Sequence, residues 1–223
     1  MQDINKILAQ MHKCSRSNSF KSKGNLGEDA ALQIVLSIQK KIGGLVYHSF
    51  SYPYATDRSG KTCTGNIKWE NGRFKEYTES NREIDDEIDI LFVTHYRIFP
   101  IEVKAYHAKM TAYDHWFKKN GTMVDKSPIF QTEKHARHLY TQIASVIPDG
   151  NPNYVVPLCC FVDRCTITDD RSDDFSRYIP ITILNNFEET LKELNTPLQY
   201  NLELESIKNK LNEIKVSCDK AYI

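Results

Sequence analysis

The chain carries no excess of either charge: 29 lysines and arginines balance 29 aspartates and glutamates. A protein held to nucleic acid by overall charge is usually basic, so any such partner must be met by local patches. Long apolar runs are missing too. No stretch approaches the roughly 18 uncharged apolar residues of a membrane span. Residues 1–13 break their apolar pattern with Asp3, Lys6 and Gln10, so they do not read as a signal peptide. A cytoplasmic location with no membrane partner is expected. The six cysteines, Cys14, Cys63, Cys159, Cys160, Cys165 and Cys218, include no CxxC spacing. Reduced thiols, partly buried, fit this pattern better than a zinc site. Internal repeats are absent. Gly60-Lys61-Thr62 has the look of a phosphate-binding loop, but that motif needs a glycine where Ala55 stands.

What is present is ordinary globular composition, 40% hydrophobic and 26% charged over 223 residues. That length suits one domain with a real core. A short amphipathic segment (Ile4, Ile7, Leu8, Met11) and a basic connector reaching Gly24 open the chain. A helix follows from about Leu26 to Ile42, with Ala31, Ile34, Val35, Ile38 and Ile42 along one face, and stops at Gly43-Gly44. Leu45 to Tyr54 reads as a strand. Within a polar stretch at about residues 55–83, Asn71-Gly72 separates two alternating runs, which predicts a projecting hairpin insertion. Ile88 to Thr94 and Ile98 to Tyr106 read as strands buried mid-sheet. An aromatic and basic loop (Tyr113, His115, Trp116, Phe117, Lys118, Lys119) leads to a helix that starts at Ser127-Pro128 and runs to about Ile147. Tyr154 to Val162 and Ile179 to Leu184 are further strands around an acidic loop, and charged helices follow Asn186. The order describes one α/β domain built on a mixed sheet.

The chemistry concentrates in Glu87-Ile-Asp89 and Ile101-Glu-Val-Lys104. Side chains alternate along a strand, so Glu102 and Lys104 share a face while Ile101 and Val103 share the other. A carboxylate and an ammonium in an apolar central strand are costly unless compensated. Asp89 poses the same problem on the neighbouring strand. A hard cation with oxygen ligands would satisfy the two carboxylates beside Lys104, polarise a phosphate and acidify a bound water, with Lys104 stabilising charge in the transition state. A buried salt bridge without chemistry is the bland alternative. Glu28 faces inward on the first helix, although Asn25 to Glu28 also has the spacing of a capping box. On the second helix Gln131, His135, His138 and Gln142 form one polar stripe. Gln131 suits an active-site role as well as a structural one, and both histidines read as solvated or helix-packing.

Gly24-Asn-Leu-Gly-Glu28, Glu87-Ile-Asp89, Ile101-Glu-Val-Lys104 and Gln131-Thr-Glu-Lys-His135, in that order, resemble the nuclease-related domain (NERD) family of the PD-(D/E)xK superfamily. The resemblance spans about Gly24 to Leu194. It implies a restriction-endonuclease-like mixed sheet flanked by helices. Glu28 is then the helix acid, Asp89 and Glu102 metal ligands joined by Val103, Lys104 the catalytic lysine and Gln131 the fourth-motif glutamine. It also implies Mg²⁺- or Mn²⁺-dependent cleavage. Asp85 and Asp86 lie close enough to Asp89 to leave the ligand choice open. On this reading residues 1–23 are an N-terminal helix and connector, 24–194 the nuclease domain and 195–223 a helical extension packed on it.

The expected substrate is nucleic acid, DNA before RNA, with phosphates met by Lys118, Lys119, Lys126, Lys134 and Arg137. A homodimer stays open. So do a catalytically silent nuclease-like binding module and a metal-dependent hydrolase of small phosphate esters.

Overall fold

A computed structural model describes residues 20–53, 65–70, 73–78, 85–106, 108–114, 117–124, 127–162 and 165–223. The N-terminal amphipathic segment, Trp116 and Lys126 lie outside them. Helix α1 (Phe20–Ile42) starts inside the stretch expected to be connector, so Glu28 stands in the helix interior and the capping-box reading of Asn25 to Glu28 is corrected. Strands β1 (Leu45–Pro53), β2 (Gly65–Glu70), β3 (Arg73–Thr78), β4 (Asp85–Val93) and β5 (Ile98–Ala105) follow. β2 and β3 pair antiparallel from Gly65–Thr78 to Glu70–Arg73 as a separate two-stranded sheet.

The expected loop after β5 is instead three short strands, β6 (Lys109–Ala112), β7 (Phe117–Lys119) and β8 (Thr122–Met123). Phe117 explains the difference: it is fully buried and stacks on Phe161 with ring centroids 5.3 Å apart. Helix α2 (Pro128–Ile143) begins as expected, the Ser127 hydroxyl accepting the Phe130 N–H. After it come β9 (Leu158–Val162), β10 (Thr166–Asp169), α3 (Asp173–Tyr178), β11 (Ile181–Ile183), α4 (Phe187–Leu194), α5 (Leu204–Ile214) and β12 (Lys220–Tyr222).

The main sheet runs β11-β9-β5-β4-β1-β12, and β10-β6-β7-β8 form a second. β4 and β5 are therefore central, as their runs of apolar residues on both faces require. β4 is antiparallel to β1 and β5, while β9 lies parallel to β5. On one face Ala31, Ile34, Val35 and Ile38 of α1 pack on Val46, Ile90, Phe92, Ile101 and Val103. On the other, Ala136, Leu139 and Ile143 of α2 and Ile207 and Leu211 of α5 pack on Tyr47, Ile88, Leu91 and Val93. Each such side chain, fully buried, contributes roughly 1.5–3 kcal/mol. The C-terminal segment is fastened to the same body: β12 pairs with β1, and Arg97 donates to the Leu194 carbonyl and the Thr196 hydroxyl. Sequence patterning missed β12, which is three residues long with no alternation to read. Among the described residues no helix is long and apolar enough to cross a membrane.

One glycine sets how close α1 comes to the sheet. A Cβ on Gly27 would stand 2.3 Å from a Val162 methyl and 3.6 Å from Ala105. In an open helix interior Gly→Ala gains about 1 kcal/mol. Here Gly27→Ala is expected to destabilise by roughly 1–3 kcal/mol through overpacking, and Val162→Ala should restore most of the loss. Urea denaturation of the two single variants and the double variant checks this.

Candidate functional site

β1 and β4 share an irregularity that creates the site. Their register passes from His48–Ile90 to Phe50–Ile88, leaving Ser49 and Asp89 outside the pairing. Ser49 takes a left-handed φ of 50°, a conformation uncommon for residues other than glycine. Alternation slips at this point: Ile88 packs on the α2 side, whereas Ile90 and Phe92 pack on the α1 side. Pairing of β4 with β5 ends at Ile90–Ile101. Beyond it, the Val103 N–H donates to Asp89 Oδ2 at 2.7 Å. The Asp89 side chain thus takes over the acceptor role that a strand carbonyl fills elsewhere in the ladder.

Glu102 is 1% exposed. Its Oε1 receives the Lys104 ammonium, and its Oε2 lies 3.3 Å from His135 Nδ1 on α2. That second approach is off the hydrogen-bonding line, so Oε2 accepts no well-formed hydrogen bond among the described residues. Burial pushes the Glu102 carboxyl up, but the His135 ring and Lys104 outweigh it and hold the group below the usual range. For Lys104, burial acts downward, and the Glu102 and Asp89 carboxylates prevail and raise it. Asp89 behaves oppositely. Burial first and the Glu102 charge second push its carboxyl well above the ordinary value, against Lys104 and the Val103 N–H. Glu28 is raised mainly by burial, and its Oε2 stands 3.9 Å from His48 Nε2. Glu28 also feels the charges of Lys104, Glu102 and Glu87. Gln131 is half-buried on α2, one turn before His135 on the same face.

Of the two alternatives for His135 and His138, solvated or helix-packing, the first is corrected: they are 5% and 3% exposed and pack from α2 against a buried Asp86. His138 Nδ1 lies 2.9 Å from Asp86 Oδ2, and His135 Nε2 lies 3.5 Å from Asp86 Oδ1. Lys134, expected to contact phosphate, is also turned inward, 9% exposed with its ammonium 3.6 Å from Asp86 Oδ1. The polar stripe at positions 131, 135, 138 and 142 was the available signal. Arg137 is exposed, as are Lys119 and, in part, Lys118. Lys119 Nζ sits 4.8 Å over the Tyr106 ring, and Tyr106 in turn feels the charges of Lys104 and Glu102.

Four motifs from separate elements thus meet at one end of β4 and β5. A family model described as the nuclease-related domain matches residues 23–162, more than half of the 223. The chain belongs to the nuclease-related domain family. No curated protein and no solved structure matches it. The matched nuclease-related domain ends with β9, short of Leu194, and contains Glu28, Asp89, Glu102, Lys104 and Gln131.

Whether this donor set fits a cation is a matter of its chemistry. Among the described residues no three His, Cys, Asp or Glu side chains converge on one point. Mg²⁺, however, needs only one or two carboxylates, completing its shell with water and substrate phosphate. Asp89, Glu102 and the Val103 carbonyl meet that requirement, and Glu102 Oε2 is a buried oxygen still short of a well-formed partner.

The raised Asp89 carboxyl gives a signed prediction. Its folded form holds the proton to higher pH than the unfolded chain does, so its contribution is full below the ordinary Asp value and is lost as pH rises through the folded value. Asp89→Asn keeps an oxygen for the Val103 N–H and removes that slope. In EDTA the variant should melt at or above the wild-type temperature at pH 7–8, with a flatter pH profile. A large loss at every pH, on the scale of the roughly 3–5 kcal/mol for breaking a buried pair, makes Asp89 a structural partner of Lys104 instead.

Proposed function

We propose that this nuclease-related domain hydrolyses phosphodiester bonds in nucleic acid, DNA before RNA, with a divalent cation held by Asp89, Glu102 and the Val103 carbonyl. The observation that carries the reading is a carboxylate at 1% exposure in a central strand, flanked by an ammonium and an imidazole, beside a second, half-buried acid. When bound, a Mg²⁺ or Mn²⁺ ion supplies a Lewis acid for the phosphate and a more acidic water. The chain's own residues do the rest. Lys104 keeps its proton, so its partly exposed ammonium offsets negative charge on the phosphate as the bond breaks. Glu28, which feels the charges of Lys104 and Glu102 from α1, orients what enters the site, and Gln131 on α2 is assigned the same task. Lys119 over Tyr106 places positive charge within reach of the incoming backbone, with Lys118 beside it over Tyr113 at 5.5 Å.

A second reading, a catalytically silent nuclease-like module, draws on the lack of three convergent ligands among the described residues. Incubation of the protein with circular single-stranded DNA, plasmid and RNA, each with Mg²⁺, Mn²⁺ or EDTA, separates the two. Cleavage that needs the metal is expected, with Lys104→Ala and Glu102→Ala each reduced on the order of 10²-fold or more. Near wild-type cutting by either variant removes the assignment, and no cutting under any condition leaves the silent module.

Because the chain has no overall positive charge, binding should depend on a few lysines and arginines that meet phosphate directly. Removing one such cation reduces the salt slope of binding by about one unit. The doubly substituted Lys118→Ala, Lys119→Ala protein is expected to show a slope lower by one to two units in a binding titration across salt concentrations. An unchanged slope takes β7 off the backbone path.

A further inference from the structure

We propose that Asp86 is a positioning residue of this site, holding basic side chains of α2 and, through His135, fixing where Glu102 stands. The proposal rests on the nuclease reading above and adds to it. Asp86 opens β4 at 4% exposure, three residues before Asp89. Its Oδ2 meets His138 Nδ1 at 2.9 Å, and its Oδ1 meets His135 Nε2 at 3.5 Å and Lys134 Nζ at 3.6 Å. Position 138 lies three residues after 135 and four after 134, so it neighbours both on the helix surface. Both oxygens of Asp86 are therefore engaged by α2, so of the alternatives to Asp89 that the sequence leaves open, Asp86 is assigned to supporting the site rather than ligating the ion.

The imidazole of His135 spans the gap between two carboxylates. One nitrogen faces Asp86 on β4, and the other stands 3.3 Å from Glu102 Oε2 on β5. With a carboxylate facing each nitrogen, the ring is oriented by both charges rather than by a hydrogen bond, in the manner of the carboxylate–histidine pairs that orient metal sites. The backbone of the same residue is tied as well, since the Tyr52 hydroxyl donates to the His135 carbonyl at 2.9 Å. Anchoring α2 does not require these charges. Ala136, Leu139 and Ile143 already bury its apolar side, and buried ion pairs are weak stabilisers. The cluster is explained by what it holds: the Glu102 carboxylate, kept from rotating toward Lys104 alone.

The test compares wild type, Asp86→Asn, His135→Gln and Glu102→Gln as full chains, by thermal melting across Mg²⁺ concentrations and by steady-state cleavage of single-stranded DNA. Asp86→Asn should melt cooperatively in EDTA, need on the order of 10-fold more Mg²⁺ for half-maximal stabilisation, and lose on the order of 10- to 100-fold in kcat with KM for the DNA unchanged. A role in stability alone lowers the melting temperature in EDTA and leaves the Mg²⁺ midpoint and kcat where they were. Wild-type midpoint and kcat in Asp86→Asn, with both impaired in Glu102→Gln, overturn the proposal and leave the nuclease reading intact. If Asp86→Asn fails to fold, His135→Gln carries the same expectation, because Asp86 keeps His138 and Lys134. Wild-type values there overturn it equally. A wild-type protein that neither cleaves nor responds to Mg²⁺ fails the nuclease reading, and the role of Asp86 falls with it.

Discussion

A carboxylate sealed in the middle of a six-stranded sheet has to be answered by neighbouring charge, because leaving an ion unpaired there costs several kcal/mol. Glu102 is that group, and its neighbours are arranged around it. Lys104 reaches it along the same face of β5, His135 reaches it from α2, and Asp86 stands behind His135. The opposing terms do not balance evenly. Glu102 is held in its ionised form, while Asp89, with only a shared lysine and one N–H to offset burial, is pushed toward its neutral form. Two adjacent carboxyls driven in opposite directions by their surroundings are a common mark of a functional site.

The geometry comes from both sides of the sheet. Asp89 is available because β1 and β4 slip together at Ser49, turning a residue of the central strand out of the regular alternation. Glu28 is available because Gly27, lacking a Cβ, lets α1 settle against Val162 and Ala105. His135 arrives from the opposite face on a helix whose start is fixed by Ser127 and Pro128. A site assembled at the end of two buried strands is held by the core itself, which is how preorganised charge is kept in place.

Much of this was legible in the chain. Alternation in Ile101-Glu-Val-Lys104 places Glu102 and Lys104 on one face, and Ile101 and Val103 do pack on the other. The start of α2 followed from Ser127-Pro128. What stayed hidden depends on contacts between distant elements. The earlier start of α1 runs through Gly24, which local propensity counts against a helix. The small sheet after β5 is built from strands of two to four residues, too short to show a period. That His135, His138 and Lys134 turn inward stayed hidden because nothing in the sequence says that Asp86, about 50 residues earlier, is buried opposite them. A slip such as that at Asp89 is invisible until two strands are paired.

If Asp89 and Glu102 hold a cation, that ion displaces the Asp89 proton. Calorimetric titration of Mn²⁺ into the protein, repeated at pH 5 to 8 in two buffers of different ionisation enthalpy, measures the protons released per ion bound. Binding with proton release that grows as pH falls within this range, and that disappears in Asp89→Asn, is the predicted result. No binding in the wild type, or binding with the same proton count in Asp89→Asn, contradicts the assignment of this acid pair to a metal.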